Sequence, residues 1–272
     1  MPYVRNNGVR IHYEVVGHGP PIVLAHGGTG NSSMWKLAGY LDGLRGYRCI
    51  LIDRRGHGLS EKPRDAADHS MEHHVSDVVA VLDALHIREA AYWGWSAGGA
   101  VGFALVARHP ERIAACVVQG MDSKPYTEQG VQRLRDTEPL KALQGFDENE
   151  EGVAVPPWLK DMPESDLETY LRDYEAYISD SSAWLKWGGE WDSLPRIRTP
   201  TLIMCGSKED PDRESEAEAG RLKNGRVAFL DGLGHTGAFL RPDLSIPIVK
   251  AFLKDLGIEP ESSWAGQVDP SA

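Results

Sequence analysis

Six short apolar runs constrain the fold of this chain more than any other feature. They lie at residues 22–25, 49–52, 91–93, 115–118, 201–204 and 227–230. None alternates apolar with polar residues, and glycine, proline or charge bounds each one. Strands buried on both faces have this pattern, as in a parallel sheet covered by helices on either side. Helical periodicity fills the intervals. Val75, Val78, Val79, Leu82 and Leu85 share one face, with Asp77 and Asp83 expected on the other. Residues 96–108 are apolar nearly all round, which predicts a buried helix, and Ile248, Val249, Phe252, Leu253 and Leu256 mark a last amphipathic one. Near the start, Asn7-Gly8 separates β-rich runs at 3–5 and 9–16 and predicts a type I′ hairpin. The chain therefore reads as an α/β protein, with a mostly parallel eight-stranded sheet carrying helices on both faces.

One stretch interrupts the alternation. Residues 120–195 contain no buried-strand run but gather Trp158, Trp184, Trp187, Trp191, Tyr126, Tyr170, Tyr174 and Tyr177. They also hold 17 acidic and 7 basic residues, ten of the eleven net negative charges of the whole chain. This shift in composition predicts a helical cap inserted after the sixth strand. Residues 1–119 and 196–256 then form the core, and 257–272 a flexible tail. The net charge of −11 excludes general binding to nucleic-acid backbones. No apolar run approaches the ~18 residues of a membrane span. The N-terminus lacks the apolar segment of a secretory signal. Cys49, Cys116 and Cys205 are an odd number of thiols, each within an apolar stretch, and are expected buried and reduced. A cytoplasmic protein is the expectation.

Three glycine-rich turns carry the chemistry. Gly94-Trp95-Ser96-Ala97-Gly98 follows one apolar run and opens the apolar helix, so a strand–turn–helix holds the Ser96 hydroxyl at the edge of the sheet. Alone, the pattern leaves open a helix-capping serine between accidental glycines. His26-Gly27-Gly28-Thr29-Gly30 follows the run at 22–25, and from these two turns the amides of Gly28 and Ala97 would hold a negatively charged oxygen. No Gly-Lys-Ser/Thr follows, which disfavours a phosphate cradle. Gly232-Leu233-Gly234-His235 comes directly after the last strand and offers the base that a serine nucleophile needs. His69 and His73, four residues apart, suggest metal ligands, but with no third ligand implied nearby they read, with His74, as a solvated helix face; no metal is expected. Trp35 and Trp95 flank the expected site and are candidate pocket residues, with core packing the ordinary alternative; Trp184 and Trp187 fit either a pocket roof or a small core of their own segment.

In this order, the three turns resemble the α/β-hydrolase family over roughly residues 3–256. The likeness includes Asp53-Arg54-Arg55-Gly56-His57-Gly58-Leu59-Ser60, similar to the family's D-x-x-G-H-G-x-S stretch, in which Asp53 and His57 shape the loop. The resemblance implies an acid in the loop at 205–211, usually as G-x-x-D with Pro often following. Here the third residue after Gly206 is Glu209, and the Asp-Pro pair falls one later. Either the loop has an extra residue and Asp210 serves, or Glu209 does; a minority of the family would nominate Asp122. Asp210 is the expectation. The implied activity is cofactor-free hydrolysis of a small to medium, fairly apolar carboxylic ester: Ser96 attacks, His235 relays the proton, Asp210 orients His235, and Gly28 and Ala97 hold the oxyanion. Serine at the elbow argues against dehalogenases and epoxide hydrolases, whose nucleophile is aspartate. Lactonases, carbon–carbon bond hydrolases and cofactor-free haloperoxidases or perhydrolases share the triad. A small-molecule binding protein on the same scaffold is the non-enzymatic alternative. The acidic segment predicts that neutral esters outcompete anionic ones.

Overall fold

The computed structural model describes residues 2–136 and 164–261. Its strands are β1 (Tyr3–Asn6), β2 (Val9–Val16), β3 (Pro21–Ala25), β4 (Arg48–Ile52), β5 (Ala90–Trp95), β6 (Ile113–Gln119), β7 (Thr201–Gly206) and β8 (Gly225–Leu230). Helices α1 (Ser33–Leu37), α2 (Tyr40–Gly43), α3 (Met71–Ala84), α4 (Ala97–Arg108) and α5 (Glu128–Asp136) fall between Ser33 and Asp136. Beyond them come α6 (Glu164–Trp184), α7 (Glu214–Arg221), α8 (His235–Phe239) and α9 (Pro242–Asp255).

The eight strands form one sheet in the order β1-β2-β4-β3-β5-β6-β7-β8. Asn7 and Gly8 both have positive φ, 48° and 82°, as the I′ turn between β1 and β2 requires. β2 also runs antiparallel to β4, and all later pairings are parallel. The chain leaves β3 toward β4 on one side and returns to β5 on the other. The strand order therefore reverses between β3 and β5, which opens a crevice at their carboxyl ends.

Side chains of these short strands alternate between two buried layers, so neither face needs polar residues. Val23, Ala25, Ile50, Ile52 and Tyr92 pack against α3 and α4, while Ile22, Leu24, Leu51 and Trp93 pack against α1, α2 and α9. Asp77 departs from its expected outward position. It is buried on α3, and its two carboxylate oxygens accept from Nε and Nη2 of the fully buried Arg55, both at 2.7 Å. A buried guanidinium requires such a partner, and this outweighs the apparent periodicity of the helix.

The β6–β7 connection contains α5 and α6; residues 137–163 of it, Trp158 among them, lie outside the described residues. At the other end of the chain, 257–261 are held more firmly than a loose tail would be. Tyr47 Oη donates to Ile258 O at 3.2 Å and the Glu261 amide to Gly46 O at 3.0 Å; residues 262–272 lie outside the described part. Among the described residues no helix is long and apolar enough to cross a membrane. All three cysteines are unpaired and buried.

Candidate active site

Ser96 stands where β5 turns into α4, with φ 53° and ψ −121°. A residue with a Cβ adopts such a backbone only at a cost, of order 1–3 kcal/mol, that the surroundings must enforce. The enforcement is visible. The Ser96 amide donates to Gln119 O at 2.8 Å on β6. A Cβ on Gly94 would lie 2.2 Å from Gly98 O, and one on Gly98 would lie 2.4 Å from Ala25 O. Only glycine at both positions lets the elbow close and press against the end of β3.

The turn after β3 meets it there. A Cβ on Gly27 would be 3.3 Å from that of Ser96. His26 is fully buried, and burial followed by the Arg54 charge pushes its pKa down to about 3. Its ring is therefore neutral: Nε2 accepts from the Arg54 amide at 3.0 Å, and Nδ1–H donates to Gly27 O at 2.7 Å. Gly28 follows in that turn with the Tyr177 ring over its Cα, and Ala97 is the buried first residue of α4.

His235 opens α8 just after β8 and lines one cavity of about 870 Å³ together with Ser96. Its ring lies tilted against the Trp95 indole, centroids 5.3 Å apart. His235 Nδ1 is 2.5 Å from Glu209 Oε1. This corrects the expectation for Asp210, whose oxygens instead accept from the amides of Glu214 and Ser215 at 2.8 and 2.9 Å, at the start of α7. Against a burial penalty, those bonds hold the Asp210 carboxyl below its usual range. The loop has no extra residue: the third position after Gly206 faces His235, and glutamate's longer side chain spans the gap. Asp122 is exposed and accepts from the Lys124 amide at 2.9 Å.

For the four candidate tryptophans the core reading holds and the pocket reading does not. Trp35 is fully buried in the layer that holds α1, α2 and α9, edge-on to Tyr40, Trp93 and Phe239. Trp95 lies beneath the site, stacked on Phe239 at 4.2 Å. Trp184 is fully buried, donating from Nε1 to His69 O, and Trp187 donates to Glu190. The aromatics that line the cavity are Tyr126, Tyr177 and Trp191, beside Met121. The aromatic enrichment between residues 120 and 195 held the signal, but not which side chains turn inward.

Gly120, at the end of β6, was not singled out by the sequence. Its φ is +64°, and a Cβ there would lie 3.0 Å from His235 Nδ1 and 3.3 Å from Glu209 Oε1. Gly120→Val should displace the imidazole–carboxylate pair and lower kcat on the order of 100-fold, the cost of a ~1 Å misplacement. Steady-state kinetics, beside circular dichroism to verify folding, checks this. Undiminished kcat would mean that the pair tolerates the intrusion.

The expected solvated face of His69, His73 and His74 is not what forms. His69 and His74 are buried, and His69 Nδ1 and His74 Nε2 lie 2.7 and 3.1 Å from the same oxygen of Asp180 on α6. Those are hydrogen-bond separations, and Arg54 Nη1 donates to the other carboxylate oxygen at 2.6 Å. The cluster is a hydrogen-bonded ionic network.

A family model described as alpha/beta hydrolase fold matches residues 20–172. The chain is 26% identical to a putative 2-succinyl-6-hydroxy-2,4-cyclohexadiene-1-carboxylate synthase of Bacillus subtilis, over 92% of this chain and 97% of that protein. It is 28% identical to a non-heme haloperoxidase of Rhodococcus erythropolis, over 86% and 93% respectively. Among solved structures, the enol-lactonase of Burkholderia xenovorans LB400 superposes with a TM-score of 0.75 at 25% identity, covering 93% of this chain and 100% of the other.

Proposed function

The chain belongs to the alpha/beta hydrolase fold family and is an enzyme of that family, and from this premise we propose that it hydrolyses carboxylic esters of small to medium, fairly apolar molecules through an acyl-enzyme. The observation that carries the reading is the convergence on one cavity of Ser96, at its strained turn, and His235, held by Glu209. Ser96 Oγ attacks the ester carbonyl carbon while His235 Nε2 takes its proton. The carbonyl oxygen becomes an oxyanion that accepts from the amides of Gly28 and Ala97. Glu209 stabilises the imidazolium. Collapse breaks the ester C–O bond, and His235 returns the proton to the departing alcohol. Water, deprotonated by His235, then releases the acid and restores Ser96.

Residues 120–195 act as a cap in this reading, and small molecules are the partners. Tyr126, Tyr177 and Trp191 from that segment line the cavity and favour an apolar substrate. A lactone is a cyclic ester and would follow the same steps, a reading favoured by the similarity to an enol-lactonase. The buried, unpaired thiols suit a reducing compartment such as the cytoplasm.

Covalent labelling by a fluorophosphonate tests the proposal. The expected result is one adduct on Ser96 by intact-mass and peptide analysis; a binding protein on this scaffold would not react. Turnover of p-nitrophenyl esters, lactones and aryl diketone acids then ranks the substrate classes. Matched neutral and anionic esters at low and high salt belong in that panel. Acidic residues on the cap predict higher kcat/KM for the neutral ester, by a margin that salt narrows.

A further inference from the structure

The Arg54–Asp180 pair links the helix that overhangs the cavity to the peptide that would bind the oxyanion. Asp180 is fully buried on α6, one turn from Tyr177, which lines the cavity. Arg54 Nη1 donates to Asp180 Oδ2 at 2.6 Å, and Arg54 Nη2 donates to Gly27 O at 3.1 Å. His69 and His74 fix the other oxygen of Asp180. His57 Nε2 lies 2.9 Å from Gly28 O and 3.3 Å from Arg54 Nη2.

The important contact is with Gly27 O. The Gly27 carbonyl and the Gly28 N–H belong to one planar trans peptide, so the two point in opposite directions. A donor that pulls the carbonyl inward turns the N–H outward. His26 Nδ1 and Arg54 Nη2 both donate to that carbonyl. Glycines flank the peptide and would let it rotate if these donors were lost. A carbonyl already accepting two hydrogen bonds also makes its own N–H a better donor.

We propose that Arg54 is a positioning residue for oxyanion stabilisation, and that Asp180 on α6 sets Arg54 in place. The inference rests on the acyl-transfer reading of the site, with the Gly28 amide as one oxyanion donor. Neither residue touches substrate. Their effect is confined to the step in which negative charge develops, so ground-state binding stays the same.

Asp173 provides the comparison. It is buried on the same helix and accepts from the Gly58 amide at 2.9 Å and from Asn31 at 3.2 Å, away from the peptide between Gly27 and Gly28. The experiment compares wild type, Arg54→Met, Arg54→Lys and Asp173→Asn for kcat and KM on one p-nitrophenyl ester. It also measures Ki for a trifluoromethyl ketone of the same acyl chain, whose serine adduct carries an oxyanion, and Tm for each variant. Arg54→Met leaves Asp180 with two imidazole partners, and Arg54→Lys keeps the charge but loses the fork that reaches both Asp180 and Gly27.

For Arg54→Met we expect kcat to fall about 10- to 100-fold, less than for outright removal of an oxyanion donor. KM should stay within about twofold and Ki should weaken in step with kcat, the pattern of an interaction made only in the transition state. Arg54→Lys should show the same pattern more weakly and serves should the methionine variant not fold. Asp173→Asn should leave kcat and Ki unchanged. The proposal is overturned if the Arg54 variants keep wild-type kcat and Ki, or if Asp173→Asn causes the same loss, since α6 would then matter only as a docked helix. A wild type insensitive to the ketone and to fluorophosphonate overturns the acyl-transfer reading itself. Those outcomes are distinguishable.

Discussion

Ser96→Ala is expected to lower kcat by on the order of 10⁴-fold or more, with the fold intact, because in the proposed reaction nucleophile and base act as one unit. Among the described residues the cavity holds no second hydroxyl placed as Ser96 is, on a turn closed by Gly94 and Gly98 and backed by the end of β3. His235→Ala should be nearly as damaging. Both are checked by kcat on the best ester of the panel and by far-ultraviolet circular dichroism. Alanine retains a Cβ at φ 53° and inherits the strain of Ser96. Ser96→Gly should be equally inactive yet more stable, by about 1 kcal/mol or more if relief of the positive φ dominates. A rise in Tm for the glycine variant over the alanine variant would show that the turn stores strain for the sake of the hydroxyl's position. Activity in Ser96→Ala above about a tenth of wild type would exclude Ser96 as the nucleophile, because loss of a nucleophile costs far more.

The parts of the fold legible in the sequence are those governed by local pattern. Buried strands announce themselves as short apolar runs because both faces of β3 to β7 are covered, and all eight strands lie where those runs and the Asn7-Gly8 turn put them. The elbow is legible for a similar reason: a strand, a strained turn and an apolar helix are contiguous in the chain. Contacts distant in sequence are not. Arg54 and Asp180 are 126 positions apart, and nothing local to either residue marks the other as its partner. Asp77 misleads because a carboxylate on a helix looks solvent-facing until the buried Arg55 beside it is known. The tryptophans leave two readings open because a large apolar side chain fits a core as well as a cavity wall. Trp35 and Trp184 go to the core, and Tyr126 and Tyr177 to the wall.

The acid misleads for another reason: the residue paired with His235 is a glutamate one position before the Asp-Pro pair. Glu209→Gln should lower kcat by roughly 10²- to 10⁴-fold, whereas Asp210→Asn should leave it within about twofold. The amide introduced by Glu209→Gln fills the same space and its oxygen can still accept from Nδ1, but it carries no charge to balance the imidazolium that the proposed reaction forms as Ser96 gives up its proton. Its NH₂ group can also present itself to Nδ1 and favour the wrong tautomer. Glu209 is poorly supported otherwise: among the described residues its Oε2 is buried without a hydrogen-bond partner, so His235 is the contact that fixes it. Asp210 serves a different end. It satisfies two amides at the start of α7, so Asp210→Asn should act on stability, lowering it by about 0.5–1 kcal/mol as for a weakened helix cap. A sequence pattern of Gly-x-x-Asp followed by Pro shifts attention to Asp210, yet an Asp-Pro pair is also what a tight turn into a helix uses. Measuring kcat and Tm for both variants separates the two roles. A large kcat loss in Asp210→Asn with little in Glu209→Gln would mean that the 2.5 Å contact to His235 is not the one the reaction uses.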